Sequence, residues 1–412
     1  MRSPVLRLPL VLPLALALAA CGTSAQAART AAGTPAAFEL PAPTGPHRAI
    51  GTTELHLADP ARPDPWVPGR ARELMVSVFY PAARRSGPPA PYLRPGVAKV
   101  LSQADALGVF KAGTVDWAAA RTHAAESAPA DLRGGARPVV LYSPGLGVPR
   151  ALGTTLAEEL ATRGYVVVTV DHTYETAPVE FPGGRVENQR LPGPGPERLK
   201  TALDTRVKDT RLVLDRLAAM RDGRNPDAEG RALPPGLGRA LDLSRVGMAG
   251  HSAGGIEAAE AMRVDRRLDA GIDMDGTMQY AKDDYVEVAR TGLDRPFMLM
   301  GAATGGSPQT HLTTPSWGSF WRNSTGWKRD LNVPAASHYS YTDVQAVLPA
   351  LDETLDIPAQ DRADLIGTVD PERMTASVRA YVTAFFDRAL RGRHRPVLDR
   401  PSPRHPDVRF IR

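Results

Sequence analysis

The sequence predicts a doubly wound α/β domain with a mostly parallel sheet flanked by helices. From about residue 50, short apolar runs rich in β-branched residues alternate with helical patterns, as expected for buried parallel strands joined by helical crossovers. One of these runs passes through a glycine-rich turn directly into a helical pattern at residues 245–263. The chain has 412 residues, of which 42% are hydrophobic, so it can bury a large core.

The strand predictions start at residues 73–81, ELMVSVFYP, whose alternation of apolar and polar residues indicates an antiparallel or edge strand. The remaining strands are predicted at residues 137–145, 165–172, 245–252, 270–276, 295–303 and 328–338, and several of them are short, apolar and β-branched. Helical patterns lie at residues 151–164, 205–220, 255–263 and 374–390. Together these elements predict a single large domain over residues 46–392.

Two insertions interrupt the alternation. Residues 82–135 contain two Ala-rich stretches, 101–113 and 116–126, that we expect to be helices and to form a wall of a pocket. Residues 175–200 are polar and rich in Gly and Pro, which predicts a long loop.

The two ends of the chain have their own signatures. Residues 1–20 have two arginines followed by an apolar run, the pattern of an export signal. Leu18–Cys21, LAAC, resembles the lipobox of bacterial lipoproteins, which predicts lipidation of Cys21 and a membrane-anchored protein on the outer face of the cell; the alternative is a plain secretory signal. Residues 21–45 then form a flexible tether, and residues 393–412 a solvated, basic, Pro-rich tail.

Charge and residue patterns exclude several classes of function. The net charge is +5, or +3 without Arg2 and Arg7, and the basic residues are scattered, which argues against a nucleic-acid partner. Cys21 is the single cysteine, so no disulfide framework exists. No His/Cys/Asp cluster has metal-ligand spacing and no phosphate-binding loop follows the first strand, so we expect neither metal nor cofactor.

Residues 250–254, GHSAG, fit the pattern G-x-S-x-G at the point where a strand is followed by a helix. This is the setting of a nucleophile elbow, in which a sharp turn exposes the serine and leaves no room for side chains at the flanking positions. Gly250 and Gly254 meet that requirement, which makes Ser252 a candidate nucleophile. The alternative is an ordinary strand–helix turn whose glycines only ease packing.

A serine nucleophile needs a histidine as base and an acid to orient it, and after such an elbow the acid precedes the histidine along the chain. Four histidines follow Ser252, and His338 is preferred because it follows the last core strand; His311 suits an acid or pocket position, and His394 and His405 lie in the tail. The alternative for His338 is a surface-loop histidine.

The acid is predicted one strand after the nucleophile. Asp275 lies at the carboxyl edge of the strand over residues 270–276, where catalytic groups gather in open α/β sheets. Asp273 would point to the same face but lie deeper, so we prefer Asp275, with a capping role as its alternative. Ala253, which follows the serine, and Leu146, in the loop SPGLGVPR, are the expected backbone donors of an oxyanion hole.

Other residues suit structural roles better. His172 ends a core strand, and Trp317, Phe320 and Trp321 have a helical spacing more typical of core than of an acyl pocket.

These motifs together resemble the platelet-activating-factor acetylhydrolases, a family of α/β-hydrolases. The similarity runs through residues 139–172, GHSAGG, GIDMDG and SHYSYTD, and spans roughly residues 50–390. It implies an α/β-hydrolase fold, hydrolysis of short-acyl or phospholipid-like esters without metal or cofactor, a triad of Ser252, Asp275 and His338, and oxyanion donors Leu146 and Ala253. Pro144 departs from the family, where a histidine often precedes the glycine. Resemblance to bacterial secreted lipases and polyester hydrolases is nearly as good.

We therefore expect a serine ester hydrolase, a lipase or esterase, that acts on a small-molecule or lipid ester and is attached to the membrane through Cys21. An amidase, a peptidase or an acyltransferase could use the same triad. A surface lipoprotein that uses the scaffold only for binding is the remaining alternative, and it would be expected to lack a triad member.

Overall fold

The computed structural model describes residues 34–304 and 306–412. The predicted export signal, Cys21 and the first part of the predicted tether lie outside the described residues. The strands in the described part are β1 (Ile50–Pro63), β2 (Ala71–Pro81), β3 (Pro89–Pro91), β4 (Arg121–Glu126), β5 (Arg137–Ser143), β6 (Val166–Asp171), β7 (Val179–Glu180), β8 (Val186–Glu187), β9 (Leu241–His251), β10 (Ala270–Met274), β11 (Gln279–Ala281), β12 (Asp284–Tyr285), β13 (Phe297–Gly301), β14 (Ala303–Thr304), β15 (Ser307–Pro308), β16 (Lys328–Asn332) and β17 (Arg409–Phe410).

The helices are interleaved with these strands. In the same part of the chain they are α1 (Pro95–Gln103), α2 (Thr154–Thr162), α3 (Pro196–Arg221), α4 (Ala253–Val264), α5 (Glu287–Thr291), α6 (Pro315–Asn323), α7 (Val344–Leu355), α8 (Ala359–Ile366) and α9 (Pro371–Arg391). All six predicted core strands and all four helices predicted between or after them are present.

Eleven strands form one sheet in the order β17-β16-β13-β10-β9-β5-β6-β2-β1-β4-β3. Six consecutive strands, from β16 to β6, are mutually parallel, which confirms the predicted α/β class with a mostly parallel sheet. β2 is antiparallel as its alternation indicates, but it lies inside the sheet between β6 and β1 rather than at an edge. Because β9 and β10 are adjacent and parallel, the residues that follow them lie at the same edge of the sheet.

The sheet divides the core into two layers. Along β5, Val139 and Leu141 pack with the helices α3 to α6, while Val140 and Tyr142 pack with α2 and α9 on the opposite face. This alternation is the period of two that a strand buried on both faces requires, and it explains why β5 contains the unbroken apolar run VVLY.

The first insertion, residues 82–135, differs from its predicted secondary structure. The predicted helix over residues 116–126 is wrong: Arg121–Glu126 is strand β4, parallel to β1 and antiparallel to β3. The buried carboxylate of Glu158 accepts hydrogen bonds from the backbone N–H groups of His123 and Ala124, so tertiary partners outweigh the helix preference of alanine. The helix predicted at 101–113 is largely wrong as well, since α1 ends at Gln103 and the chain turns at Leu107, where φ is 53°.

Both predicted flexible ends are packed in part. Ala36, Phe38 and Leu40 are buried, and they join the aromatic residues of the first insertion in a satellite core, so the predicted tether ends well before residue 45. The predicted solvated tail is also corrected, because Leu398 and Val408 are buried and β17 pairs with β16. The hydrophobic residues within these polar stretches explain both differences, since burying them stabilises a docked segment.

The second insertion is a loop only in part. Its first residues, through Phe181, are buried, two short strands β7 and β8 pair within it, and α3 begins at Pro196 before the predicted loop ends. No helix within the described ranges is long and apolar enough to cross a membrane.

Candidate active site

Ser252 lies between β9 and α4 in a backbone conformation that a side chain rarely adopts. Its φ is 55° and its ψ is −122°, and helix α4 starts at the next residue. The Ser252 N–H donates to the Met274 carbonyl at 2.8 Å, and its own carbonyl accepts from Gly255 and Ile256. This is the strained strand–helix turn that the G-x-S-x-G pattern predicts.

The glycines of the turn are required by close backbone contacts. A Cβ atom at Gly250 would lie 2.1 Å from the carbonyl carbon of Gly254, and one at Gly254 would lie 2.1 Å from the Ser143 carbonyl oxygen. Gly255 faces Asp273, whose Oδ1 would be 1.9 Å from such a Cβ. The backbones themselves touch at these positions, so the turn requires glycine there.

Asp275 follows β10 and is held on three sides. Its φ is 62°, its N–H donates to the Met300 carbonyl at 2.8 Å, and its Oδ1 accepts from the Ala302 N–H at 2.8 Å. Its Oδ2 lies 2.7 Å from His338 Nδ1, and its side chain is 1% exposed. The predicted acid and the predicted base are therefore hydrogen-bonded, with the carboxylate buried behind the ring.

His338 begins a 3-10 turn over His338–Tyr341 that follows β16. Ser337 and Ser340 cap the turn reciprocally, and the Tyr341 hydroxyl donates to the Gly301 carbonyl at 2.8 Å, so the turn is anchored to the sheet. The His338 side chain is 39% exposed, which leaves the nitrogen opposite Asp275 accessible. Within the described residues no hydrogen bond joins the Ser252 hydroxyl to this nitrogen, and such contacts often tighten when substrate binds.

His251, the residue before Ser252, connects the serine turn with the histidine turn. Its Nε2 lies 2.9 Å from the backbone carbonyl oxygen of His338, and the two imidazole rings are 4.5 Å apart between centroids. Burial, and then the neighbouring His338, hold the pKa of His251 well below its usual range, so the ring is neutral and donates to that carbonyl. This contact brings the Ser252 and His338 backbones together.

Asp273 has a different role from Asp275. It is fully buried, and its Oδ1 accepts a hydrogen bond from the Gly276 N–H at 2.8 Å. Burial raises the pKa of Asp273 well above its usual range, which favours the neutral acid. Asp273 therefore stabilises the turn that presents Asp275, and it forms no hydrogen bond with His338. Its deeper position in the strand is the reason why the sequence favours Asp275 as the acid.

The predicted oxyanion donors lie beside Ser252. A Cβ atom at Gly145 would lie 3.3 Å from Ser252 Cβ and 3.1 Å from His251 Nδ1, so the loop over residues 143–150 passes directly over the turn. Within the described part of the chain, neither the Leu146 N–H nor the Ala253 N–H donates to a protein acceptor. Both are therefore available to a ligand next to the serine, and Ala253 is also the first residue of α4.

The other sequence candidates are structural. His172 is buried and bridges Asp209 and Ser143, at 2.9 and 3.0 Å, and the Trp317 and Phe320 side chains lie in the core. His311 pairs with Asp330 at 2.7 Å and stacks on Trp321, with ring centroids 4.1 Å apart. In the described part of the chain, no hydrogen bond or ring contact joins Ser252 or His338 to any of the five candidates His172, His311, Trp317, Phe320 and Trp321.

Sequence reasoning missed a buried charged cluster behind the oxyanion loop. Arg206 on α3, Glu175 after β6 and Glu257 on α4 are all fully buried, and the two carboxylates lie 2.7 and 3.6 Å from the guanidinium. A signal existed: Arg206 follows Leu203 by three residues and precedes Val213 by seven, so it falls on the apolar stripe of α3. Charged residues on such a stripe mark a buried ionic contact.

A cavity of about 50 Å³ lies under the first insertion, away from the serine turn. Tyr92 and Val97 line it together with Arg150 and Asp171, and no candidate triad residue takes part. Arg150 is already paired with Asp171 and Glu54. The role of residues 82–135 as a substrate wall stays a prediction. In the described ranges, no group of three His, Cys, Asp or Glu residues is placed to hold a metal ion.

Known proteins resemble this chain over most of its length. The family model described as platelet-activating factor acetylhydrolase, isoform II, matches residues 40–187. A probable 1-alkyl-2-acetylglycerophosphocholine esterase of Arthroderma benhamiae is 29% identical over 406 residues, which cover 92% of this chain and 95% of that protein. The platelet-activating factor acetylhydrolase of Gallus gallus is 24% identical over 328 residues, or 69% of this chain and 70% of that protein.

A solved structure agrees with these relatives. The ferulic acid esterase of Streptomyces cinnamoneus is 41% identical, has a TM-score of 0.75, and matches over 92% of this chain and all of that one. The protein is thus an α/β-hydrolase, and by chemistry it is a serine carboxylic-ester hydrolase. Within that class, the chain belongs to the platelet-activating-factor acetylhydrolase-like family, as its motifs predict.

Proposed function

We propose that Ser252, His338 and Asp275 carry out ester hydrolysis through an acyl-enzyme. The observation that carries the proposal is the 2.7 Å contact between His338 Nδ1 and Asp275 Oδ2, next to a serine held at a φ of 55°. The buried carboxylate fixes the tautomer in which Nδ1 carries the proton, so that Nε2 can accept the serine proton.

The reaction follows from these positions. Ser252 Oγ attacks the ester carbonyl carbon while His338 Nε2 takes its proton, and Asp275 stabilises the resulting imidazolium. The N–H groups of Leu146 and Ala253 donate to the oxygen that becomes negative in the tetrahedral intermediate. His338 then protonates the departing alcohol, and a water molecule activated by the same nitrogen releases the acid.

We further propose that the substrates are esters of compact acyl groups, including short-acyl and phospholipid-like esters. The relatives named as acetylhydrolase and as 1-alkyl-2-acetylglycerophosphocholine esterase support this class. The 39% exposure of the His338 side chain supports a site that is open on the side of the leaving alcohol. Esters of ferulic acid are a second candidate, favoured by the 41% identity to the ferulic acid esterase.

The test is a panel of esters on the purified protein, with 4-nitrophenyl acetate, butyrate and octanoate beside methyl ferulate and 1-alkyl-2-acetylglycerophosphocholine. We expect the acetate and butyrate esters to have the highest kcat/KM. Ser252→Ala should lower kcat by about 10⁴-fold or more, because the covalent step is lost. Activity that survives Ser252→Ala would overturn the nucleophile assignment, and octanoate or methyl ferulate as the best substrate would overturn the short-acyl preference.

We also propose that the protein is exported and anchored at the outer face of the membrane through lipidated Cys21. The proposal rests on the sequence around Leu18–Cys21, and a plain secretory signal is its alternative. In the native host, Cys21→Ser should move the protein from the membrane fraction to the medium or the soluble extracytoplasmic fraction. Labelling with a radioactive or alkynyl fatty acid should disappear in the same variant, and membrane retention of Cys21→Ser would contradict the anchor.

A further inference from the structure

Arg206 links the core of the protein to the loop that carries the predicted oxyanion donor Leu146. The side chain projects from α3 and is fully buried. Its Nη1 donates to the Pro144 carbonyl oxygen at 2.7 Å, and its Nη2 donates to the Gly145 carbonyl oxygen at 3.2 Å. One guanidinium therefore binds two successive carbonyl groups of this loop.

Because the peptide bond is planar, these contacts also fix the direction in which the Leu146 N–H points. The peptide bond between Gly145 and Leu146 is trans, so its C=O and N–H groups point in opposite directions. With the Gly145 carbonyl held toward α3, the Leu146 N–H points away from α3. The loop passes over the serine turn at this point, with the Cβ position of Gly145 only 3.3 Å from Ser252 Cβ.

The loop itself has little preference for this orientation. It reads Pro144-Gly145-Leu146-Gly147, and Gly147 has a φ of 80°, so glycines on both sides of Leu146 would allow the peptide to rotate. Apart from Arg206, the Gly145 carbonyl accepts from the Val148 N–H at 3.1 Å. A contact from outside the loop that favours one orientation of the Gly145–Leu146 peptide therefore decides where the Leu146 N–H points.

The guanidinium is itself fixed from two further elements. Its Nε donates to Glu175 Oε2 at 2.7 Å, and Nη1 lies 3.6 Å from Glu257 Oε2. The Glu257 carboxylate in turn accepts from Ser143 Oγ at 2.5 Å and from Thr210 Oγ1 at 2.6 Å. Glu175 and Glu257 stabilise the buried cation, with Glu257 shared with His172, and the Nη1 and Nη2 groups are directed at the loop.

We propose that Arg206 is a positioning residue for catalysis: by binding the carbonyl oxygens of Pro144 and Gly145, it holds the Leu146 N–H toward the oxyanion formed at Ser252. The inference rests on the proposed function, because it requires the Leu146 donor and the Ser252 nucleophile. Helix α3 thus influences transition-state stabilisation through the loop, although it contributes no residue to the triad.

The test is Arg206→Lys, which keeps the positive charge but cannot bind both carbonyls and Glu175 in one planar fork. We expect kcat for 4-nitrophenyl acetate to fall by about 10- to 10³-fold, the range for weakening or losing one oxyanion donor, while KM changes less than about threefold. The Ki of a trifluoromethyl ketone, which adds to the serine as an anionic hemiketal, should rise in proportion to the loss in kcat.

Arg72→Lys is the matched control. Arg72 is equally buried and pairs with Asp209 in the neighbouring charge cluster, but among the described residues its hydrogen bonds go to Asp209, Asp64 and the Thr173 carbonyl and none goes to the loop over 143–150. Its thermal unfolding temperature should fall much as that of Arg206→Lys, with kcat within about threefold of wild type. Equal kcat losses in the two folded variants, or a trifluoromethyl ketone Ki unchanged in Arg206→Lys, would overturn the proposal.

Glu175→Gln keeps the test decisive if Arg206→Lys does not fold. It leaves the arginine in place and weakens its Nε contact, so a smaller loss in kcat with an unchanged KM is expected, and an unchanged kcat would count against the proposal. Ser252→Ala separates the two levels: activity that survives in Ser252→Ala refutes the proposed function, whereas normal activity in Arg206→Lys with an inactive Ser252→Ala refutes the positioning role alone.

Discussion

Asp273 and Asp275 are two residues apart at the end of β10, and the backbone decides which of them reaches His338. Asp273 is inside the strand, where its side chain faces Gly255 and Gly276 in the interior. Asp275 lies past the strand end with a φ of 62°, and this left-handed conformation turns its carboxylate to the His338 ring. The position of an acid relative to the strand end is therefore more informative than the side of the strand on which it lies.

This pair provides a matched test of the acid. Asp275→Asn should lower kcat by about 10²- to 10⁴-fold, because an amide that donates to Nδ1 stabilises the wrong tautomer of His338. Asp273→Asn should keep kcat within about tenfold, since the amide oxygen can still accept from the Gly276 N–H and the native acid is neutral. Steady-state kinetics on both folded variants checks the expectation, and a greater loss in Asp273→Asn would exchange their roles.

At this scale the sequence predicted the three side chains of the candidate site but not the side chain proposed to position its oxyanion loop. Ser252, Asp275 and His338 could be selected because each follows a predicted core strand. The apolar stripe of α3 indicates that Arg206 is buried, but its role could not be predicted, because its two carbonyl acceptors are backbone atoms 61 and 62 residues away. A single sequence carries no sign of which backbone groups meet a given side chain.

At the scale of elements, the serine turn and α4 act as one rigid unit against the ends of β5 and β10. Gly254 touches the Ser143 carbonyl on the β5 side, and Gly255 touches Asp273 on the β10 side. The first turn of α4 is thus pressed against the ends of the two strands that flank β9. This packing explains why glycine continues past the motif to residue 255.

Gly254→Ala should therefore damage both activity and stability. Its Cβ would lie 2.1 Å from a backbone oxygen, so α4 must shift away from β5, at a cost of about 1–3 kcal/mol. We expect a lower thermal unfolding temperature and at least a tenfold loss in kcat. Gly193→Ala is the control, because that glycine has open space around its Cβ position and should behave as wild type. A Gly254→Ala protein with normal kcat would show that the turn can relax.

Elements with a strong local pattern were predictable, whereas elements defined by their neighbours were not. Several parallel strands contain apolar runs, such as FMLMG in β13, and α9 has an apolar stripe from Met374 to Leu390, so their own residues specify them. β4 is rich in alanine and becomes a strand through pairing with β1 and β3. β1 itself was not predicted, although Leu55 and Leu57 give part of it the alternation of a strand.

At the scale of the whole molecule, Glu73 connects β2 with β1 and with the hairpin of β7 and β8. Its carboxylate lies 2.8 Å from His56 Nε2 and 2.7 Å from Arg185 Nη2. Burial alone would raise the pKa of Glu73, but the hydrogen bonds with His56 and Arg185 lower it to about 2. The ionised carboxylate is thus favoured in the folded state.

The sign of the resulting pH dependence follows from the lowered pKa. Because the unfolded chain binds the proton near pH 4.5, Glu73 contributes stability above that pH and loses it as the pH falls toward 2. Glu73→Gln should lower the free energy of unfolding by about 1–2 kcal/mol at pH 7, with a gap that narrows below pH 4.5. Chemical denaturation at several pH values measures this difference in the free energy of unfolding. Glu197→Gln is the control, because the Glu197 side chain is 88% exposed. A gap that is constant with pH would contradict this role.

The strands at the two ends of the large sheet bear on how molecules of this protein meet one another. β3 has three residues with proline at both ends, and β17 has two residues laid along β16. Short or proline-containing edges offer few free N–H and C=O groups for another chain to pair with, which opposes intermolecular β-sheet growth and aggregation. A chain shortened before Arg409 would uncover the edge of β16 at Asp330, Leu331 and Asn332, so the C-terminal residues oppose association of molecules as well as completing the fold.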